Sequence, residues 1–524
     1  MSRSRIAAAI FLITAALLLA LHGQRMVLTN DEGIVLESAQ RMAAGGRIYV
    51  DFFGYMSPGS YWLQALVFRL FGLALWTGRL IVILDFAVQC SLVFWLAARL
   101  SSWRTATAVT LTFAGFQVAD PAFLTSAHRW DSATFALAGL CVAAGAEDRK
   151  LRWAASGALM AAAVWCTPSM TLVAAVIALW LPVSRERRPH LIPFLGGAAA
   201  IGLAGIVALT STGSLGAFFG QMAWLRQNYS GVNVLPYGSI IGGYRALFEG
   251  THGSVETLLR ITLVACVALP AILPPMALAL GGLAWWRGKA GDRDDLLALL
   301  LPAAACLAIT AFPRADVMHL EFVAALPYVL VAVALARLLP SRAAGWLAMC
   351  SIVLAAAFAS NYFRGWGETT RVSSPAGILR VPGDQAADVR RLVQEVRAGD
   401  SLFVYPYMPV EYFLTQARNP TRYSYLMPGM MTRTQEVEAL GELQAQPPEW
   451  LLYMEPSPRE FLRVFPNGAG LNWHFAELES WMQHNYRPME APAINVGGYR
   501  LWHRIAAPES TQQTAGTNQS PIGF

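Results

Sequence analysis

The chain has 524 residues, 55% of them hydrophobic and only 14% charged, with a mean hydropathy of +0.43. An ordinary soluble domain carries about a quarter charged residues. The composition therefore excludes a soluble enzyme, a disordered tail protein and a nucleic-acid binder built on a basic face. Of the 39 basic residues behind the net charge of +6, 37 are arginine, with Lys150 and Lys289 the exceptions. All six cysteines lie in apolar segments before residue 351, so neither a disulfide framework nor a CxxC metal site is encoded. Charge is unevenly spread: residues 1–362 hold 42 charged side chains and residues 363–524 hold 30. The pattern predicts a polytopic α-helical membrane domain over 1–362, a soluble α/β domain over 363–507 and a disordered tail over 508–524.

Met1–Leu21 has a basic start and an apolar run without a small-x-small exit, and is expected to stay as an uncleaved first membrane helix. Further apolar stretches long enough to be spans or inner bundle helices follow at about 79–98, 105–122, 132–146, 153–167, 169–183, 191–210, 261–286, 295–312, 320–338 and 344–362. Ser60–Leu75 is also apolar, but it is short and carries Arg69 in mid-run. If this stretch lies flat on the outer surface, five basic clusters share one side with Arg3 and Arg5. They are Arg99/Arg104, Arg149/Lys150/Arg152, Arg185/Arg187/Arg188, Arg287/Lys289/Arg293 and Arg337/Arg342. Positive charge favours the cytoplasmic side, so the arginines select the flat reading: about eleven helices, N-terminus inside, C-terminus outside. Outer loops are then expected at about 23–78 and 211–260, with short outer connectors near 123–131 and 313–319. In the soluble part, Asp388–Val396 and Phe475–Gln483 read as helices, and Ser401–Tyr405, Trp450–Tyr453 and Tyr499–His503 as strands.

The ionisable residues of the outer connectors are the candidates for chemistry. Asp31 and Glu32 leave the first helix side by side. One of them, held off bulk water, suits a general base, while capping of the helix that follows is the structural alternative. Asp131, in His128-Arg129-Trp130-Asp131, reads as a helix cap on its own and as a second site carboxylate if it shares a face with Asp31. Arg314, Asp316 and His319 crowd the third connector, where Arg and His suit a phosphate and an Arg314–Asp316 ion pair is the alternative. Asp85, inside an apolar segment, is a functional candidate or a residue bonded to a neighbouring helix. Met427–Met431 and Tyr405-Pro406-Tyr407 read as core and turn elements.

The first loop, with Asp31-Glu32, an amphipathic stretch, Gly45-Gly46, Tyr49-Val50-Asp51, then Pro58 and Tyr61-Trp62, resembles the GT-C glycosyltransferases. The likeness is strongest to the branch of protein O-mannosyltransferases and the lipid A aminoarabinose transferase. It implies a GT-C-like membrane domain transferring a sugar from a polyprenyl-phosphate donor, with inversion, on the extracytoplasmic face of the inner membrane, toward cell-envelope glycan synthesis. By this resemblance Asp31 matches the general base with Glu32 beside it, Asp131 the second-loop carboxylate, and Ser60–Leu75 the juxtamembrane helix. Asp51, Tyr61 and His128 are the expected substrate contacts. Relatives often carry a basic residue before the proline at the Pro58 position; Ser57 stands here, so the donor phosphate is expected at Arg314 and His319, with Arg47 and Arg129 behind them. The acceptor is a lipid, glycan or protein. A divalent metal between Asp31 and Asp131 is permitted but not demanded. A lipid-linked sugar transporter would share the hydropathy but more often carries mid-membrane charges and inverted-repeat symmetry, and a non-catalytic scaffold would not need acids on three outer loops.

Overall fold

The structure is a computed structural model and describes residues 3–240, 247–251, 253–288, 292–490 and 493–505. The predicted tail over 508–524 lies outside the described residues. The membrane half opens with α1 (Arg3–Leu21), α2 (Asn30–Ala43), α3 (Gly59–Phe71), α4 (Leu75–Leu100), α5 (Trp103–Gln117), α6 (His128–Ala144), α7 (Lys150–Cys166) and α8 (Thr171–Trp180). It continues with α9 (Leu191–Ser211), α10 (Leu215–Asn233), α11 (Ser254–Val267), α12 (Leu269–Trp286), α13 (Asp292–Ile309), α14 (Val317–Glu321), α15 (Ala325–Leu338) and α16 (Ser341–Gly367). Among the described residues, five helical stretches are long and apolar enough to cross a membrane: Arg3–Leu21, Leu75–Leu100, Arg188–Ser211, Leu269–Trp286 and Ser341–Gly367.

Two sequence expectations are corrected here. The stretch 261–286 is two helices parted at Ala268, with Pro270 in the first turn of α12, where its missing N–H costs nothing. The supposed loop over 211–260 contains the 19-residue α10. Its mixture of glycine, aromatic and polar residues carries neither a spanning run nor a clean apolar stripe.

The bundle core forms where α4, α6, α13 and α15 meet. Trp130 is fully buried there and meets Phe86 and Phe322 edge-on, at centroid distances of 6.1 and 5.4 Å. Its indole donates to the Phe123 carbonyl at 2.6 Å, so its polar atom is satisfied inside an apolar core. This anchors the first turn of α6, from which two site candidates project.

The C-terminal sheet region, expected from the sequence to be soluble and called the soluble domain below for that reason, begins with the antiparallel hairpin β1 (Thr369–Ser374) and β2 (Gly377–Pro382). It continues through α17 (Ala386–Glu395), β3 (Leu402–Tyr405), α18 (Val410–Thr415), α19 (Arg433–Ala445), β4 (Trp450–Tyr453) and α20 (Pro458–Val464). It closes with α21 (Ala476–Asn485), β5 (Tyr486–Pro488), β6 (Asn495–Val496) and β7 (Tyr499–Arg504). The main sheet runs β3-β4-β7-β5, with β3 and β4 parallel, β7 antiparallel to β4 and β5, and β6 paired to β7. The uninterrupted apolar runs Leu402–Tyr405 and Trp450–Tyr453 are buried at every position, as strands covered on both faces require.

This domain is seated on the first loop. One apolar core joins Met26, Leu36, Ala39, Ala65 and Phe68 to Val389, Phe413 and Leu452, and the rings of Phe68 and Phe413 stack at 5.3 Å. α3 thus presents a face to the soluble domain, and its 13 residues rise about 20 Å, short of a hydrocarbon core of about 30 Å. At Gly33 a Cβ atom would stand 2.1 Å from the Val410 backbone nitrogen, so only glycine permits α2 and α18 to meet this closely.

Candidate active site

The first turn of α2 separates two adjacent acids. Thr29 occupies the N-cap in extended conformation without a side-chain cap bond, so neither Asp31 nor Glu32 caps the helix. Glu32 turns inward and is wholly buried, accepting from Arg79 of α4 through both oxygens (Nε–Oε1 2.7 Å, Nη2–Oε2 2.8 Å). Arg79 also donates to the carbonyls of His22 (3.2 Å) and Arg25, which ties the end of α1 to the start of α2. Asp31 remains exposed beside this pair. Glu32 therefore has a fixed cationic partner, and Asp31 is the acid left open to a substrate.

Asp31 faces a wall of phenols from three separate parts of the chain: Tyr55 of the first loop, Tyr229 of α10 and Tyr425 of the soluble domain. The Tyr55 ring lies 5.0 Å from Tyr425 and 6.2 Å from Tyr229. Burial raises all three phenols above their ordinary range, and the Asp31 carboxylate adds to the shift in each. At Tyr229 the guanidiniums of Arg129 and Arg314 oppose it. One carboxylate and two cations thus lie in electrostatic reach of the same hydroxyl.

Arg129 and Asp131 share the first turn of α6 but point to different surroundings. Arg129 donates to the Thr310 carbonyl at 3.2 Å and lies in electrostatic reach of Tyr229, His128 and His319. Asp131 is buried, facing Asp85 of α4 and Ser60 of α3. Ala127 is the N-cap, so Asp131 is not a cap. Nearby, Gln89 donates to Thr134 at 2.9 Å. His128 shares a 2.8 Å hydrogen bond with Thr167.

In the third connector all the nitrogen donors of Arg314 have partners: Nε to Asp316 (3.0 Å), Nη1 to Asn233 (3.0 Å) and Nη2 to the Val464 carbonyl (3.4 Å). Its guanidinium also lies 5.2 Å from the Phe465 ring centroid. Arg314 clasps the connector to α10 and to the soluble domain, which leaves Arg129 the less committed cation. Among the described residues no group of three or more His, Cys, Asp or Glu side chains could hold a metal ion. Asp31 and Asp131 face different neighbours.

No family profile and no curated protein matches the chain by sequence. Solved structures do. ArnT from Cupriavidus metallidurans bound to undecaprenyl phosphate superposes over 95% of this chain and 98% of its own, with a TM-score of 0.55 at 15% identity. Its apo state matches over 89% and 95%, with a TM-score of 0.52 at 15% identity. The chain has the GT-C fold. A third similarity, to the Archaeoglobus fulgidus oligosaccharyltransferase tethered to an acceptor peptide, has a TM-score of 0.49 at 12% identity and covers 92% of this chain and 72% of that one.

Within this GT-C fold the remaining predicted residues are dispersed. Arg47 and Asp51 are bonded to each other at the surface (Nη2–Oδ1 2.7 Å), with side chains 51% and 41% exposed. Tyr61 is fully buried in the first turn of α3, among the aromatic residues that pack the first loop. Sequence reasoning missed Tyr229 and Tyr425. Tyr425 belongs to an irregular aromatic and methionine-rich stretch whose composition reads as core. What brings it to Asp31 is long-range stapling: Ser424 donates to Glu37, Arg41 donates to the Thr421 carbonyl (2.9 Å), and the Phe53 amide donates to the Arg422 carbonyl (2.8 Å).

Proposed function

We propose that this protein is a multi-pass inner-membrane glycosyltransferase. It moves a sugar from a polyprenyl-phosphate donor to an acceptor hydroxyl on the extracytoplasmic face, with inversion. What supports this reading is a GT-C fold in which Asp31 stands exposed in the first turn of α2 while its neighbour Glu32 is locked to Arg79. The two halves of the reaction need a base and a cation. An acceptor hydroxyl is a poor nucleophile at neutral pH and requires a carboxylate to take its proton. A polyprenyl phosphate is already a good leaving group and requires a cation rather than an acid. In this reading Asp31 is the base, Arg129 with His319 receives the phosphate, and Glu32–Arg79 holds α2 so that Asp31 points outward. Asp131 shapes the floor beneath α3. His128 positions the entrance of α6.

The orientation proposed is N-terminus inside and soluble domain outside, with α3 flat on the outer surface. The length of α3 and its contact with the soluble domain support it. Cysteine placed at Trp103 should resist an impermeant thiol reagent on whole cells, and cysteine at Met318 should react; the reverse would invert the topology. Activity is tested by supplying defined polyprenyl-phosphate sugars with membrane extract and following polyprenyl phosphate release. Release that depends on both donor and extract is expected. A protein that binds such donors and exports them unchanged would be a transporter instead.

A further inference from the structure

The entry of α14 holds an acid–imidazole pair, a buried Asp316 and a partly buried His319, for which general-base catalysis by Asp31 has no use. Asp316 is 1% exposed. Its Oδ1 accepts from the His319 ring Nδ1 (2.7 Å) and from the His319 amide (2.9 Å), and its Oδ2 from Arg314 Nε (3.0 Å). A neutral imidazole donating through Nδ1 presents a bare Nε2, which accepts a hydrogen bond and cannot donate one to a phosphate. The charged and titratable groups around the ring are His128 and Arg129 of α6, and Arg314 and Asp316 of its own connector. α12, which packs on α14, carries none. Burial and then Arg129 hold His319 below its ordinary range, despite the pull of Asp316.

The proposed reaction changes the charge at this place. A polyprenyl-phosphate sugar is a phosphodiester with one negative charge. During transfer the anomeric carbon–oxygen bond to phosphate breaks and its electron pair stays on the phosphate oxygen. The acceptor oxygen bonds to that carbon and loses its proton. The departing polyprenyl phosphate is a monoester with a second pKa of about 6, so at neutral pH it gains most of a second charge.

We propose that His319, aligned by Asp316, takes up a proton from solvent at Nε2 as this second charge develops, the acceptor's own proton going to Asp31, so that polyprenyl monophosphate is held by an imidazolium together with Arg129. This rests on the donor class assigned above. It gives the site an interaction stronger with the product-like phosphate than with the donor, as differential stabilisation of a transition state requires. The simpler role for Asp316 is to cap α14. That role needs only the amide of residue 319, which any side chain leaves in place, so His319→Gln separates the two.

The test is calorimetric titration of the full chain in phosphatidylcholine nanodiscs with undecaprenyl phosphate, between pH 5.5 and 8.5. Two buffers of different ionisation enthalpy report the protons exchanged. Wild type should take up about one proton more per phosphate bound than His319→Gln. The ratio of their affinities should then fall roughly tenfold per pH unit as pH rises through the window. The ligand's own ionisation is common to both proteins and cancels in the ratio. Thermal unfolding checks that the variant is folded, and His319→Asn replaces it if it is not. Tight binding with equal proton uptake and equal pH slopes overturns the proton role of His319 and leaves the donor reading standing. A wild type that binds no undecaprenyl phosphate at any pH overturns both.

Discussion

Asp31 is the second residue of α2 and Asp131 the fourth of α6, so both stand in a first helical turn. Their surroundings differ. α2 lies beneath the soluble domain and leaves Asp31 exposed at the edge of a phenol wall, whereas α6 enters the bundle at once and packs Asp131 against Asp85 and beneath α3. The contrast with Glu32 is sharper still: one residue along the same helix, the carboxylate is fully enclosed and paired with Arg79. Whether a helix-entry acid is free to react is decided by what the rest of the chain lays over it, and here that includes a soluble domain nearly 400 residues downstream.

The largest effect expected from this comparison is on stability. Arg79→Ala leaves Glu32 buried without its counter-charge and should destabilise the fold by about 3–5 kcal/mol. Asp31→Ala, at an exposed position, should stay within about 0.5 kcal/mol of wild type. Thermal or denaturant unfolding of the two variants compares them directly, and equal losses would mean that the two acids are not distinguished as described. Gly33→Ala comes next. Its added methyl meets the Val410 backbone, an overpacking that typically costs about 1–3 kcal/mol. It should loosen the soluble domain from α2, read as faster proteolysis near Glu368; unchanged digestion would show that this contact does not seat the domain.

A third effect is conditional on pH. Glu411 in α18 is buried without a partner for Oε1, and burial raises its carboxyl to about 8. A folded-state value above the unfolded one stabilises fully below pH 4.5, and that stability is lost as pH rises toward 8, by up to about 1.4 kcal/mol per unit. Glu411→Gln should flatten this slope of unfolding temperature against pH. A variant with the wild-type slope would locate the pH dependence in other groups.

Much of the membrane half was legible because hydropathy is local: every apolar stretch singled out in the sequence carries helix, Ser60–Leu75 with Arg69 in mid-run included. The strands Leu402–Tyr405 and Trp450–Tyr453 were legible for the same reason. The hairpin β1–β2 was not, since Thr369–Ser374 and Gly377–Pro382 are polar or interrupted and are ordered partly by the chain after α1, where the Met26 amide donates to the Arg380 carbonyl at 2.8 Å. In the site, Asp31, Arg129 and His319 could be named as ionisable groups on short connectors. Their neighbours could not. Arg79 reads locally as one more basic residue at the start of a membrane helix, and nothing within its own segment announces a partner 47 positions earlier. Tyr425 and Gly33 owe their importance to a docking between domains that no local periodicity encodes.

The central claim is that Asp31, and not a neighbouring carboxylate, deprotonates the acceptor. It is tested most directly by Asp31→Asn, which preserves size and capping ability, in the donor-release assay alongside undecaprenyl phosphate binding. Loss of a general base typically lowers the rate by about 10²–10⁴. The account predicts that loss in Asp31→Asn with phosphate affinity roughly unchanged. An Asp31→Asn protein that transfers sugar at the wild-type rate would contradict it.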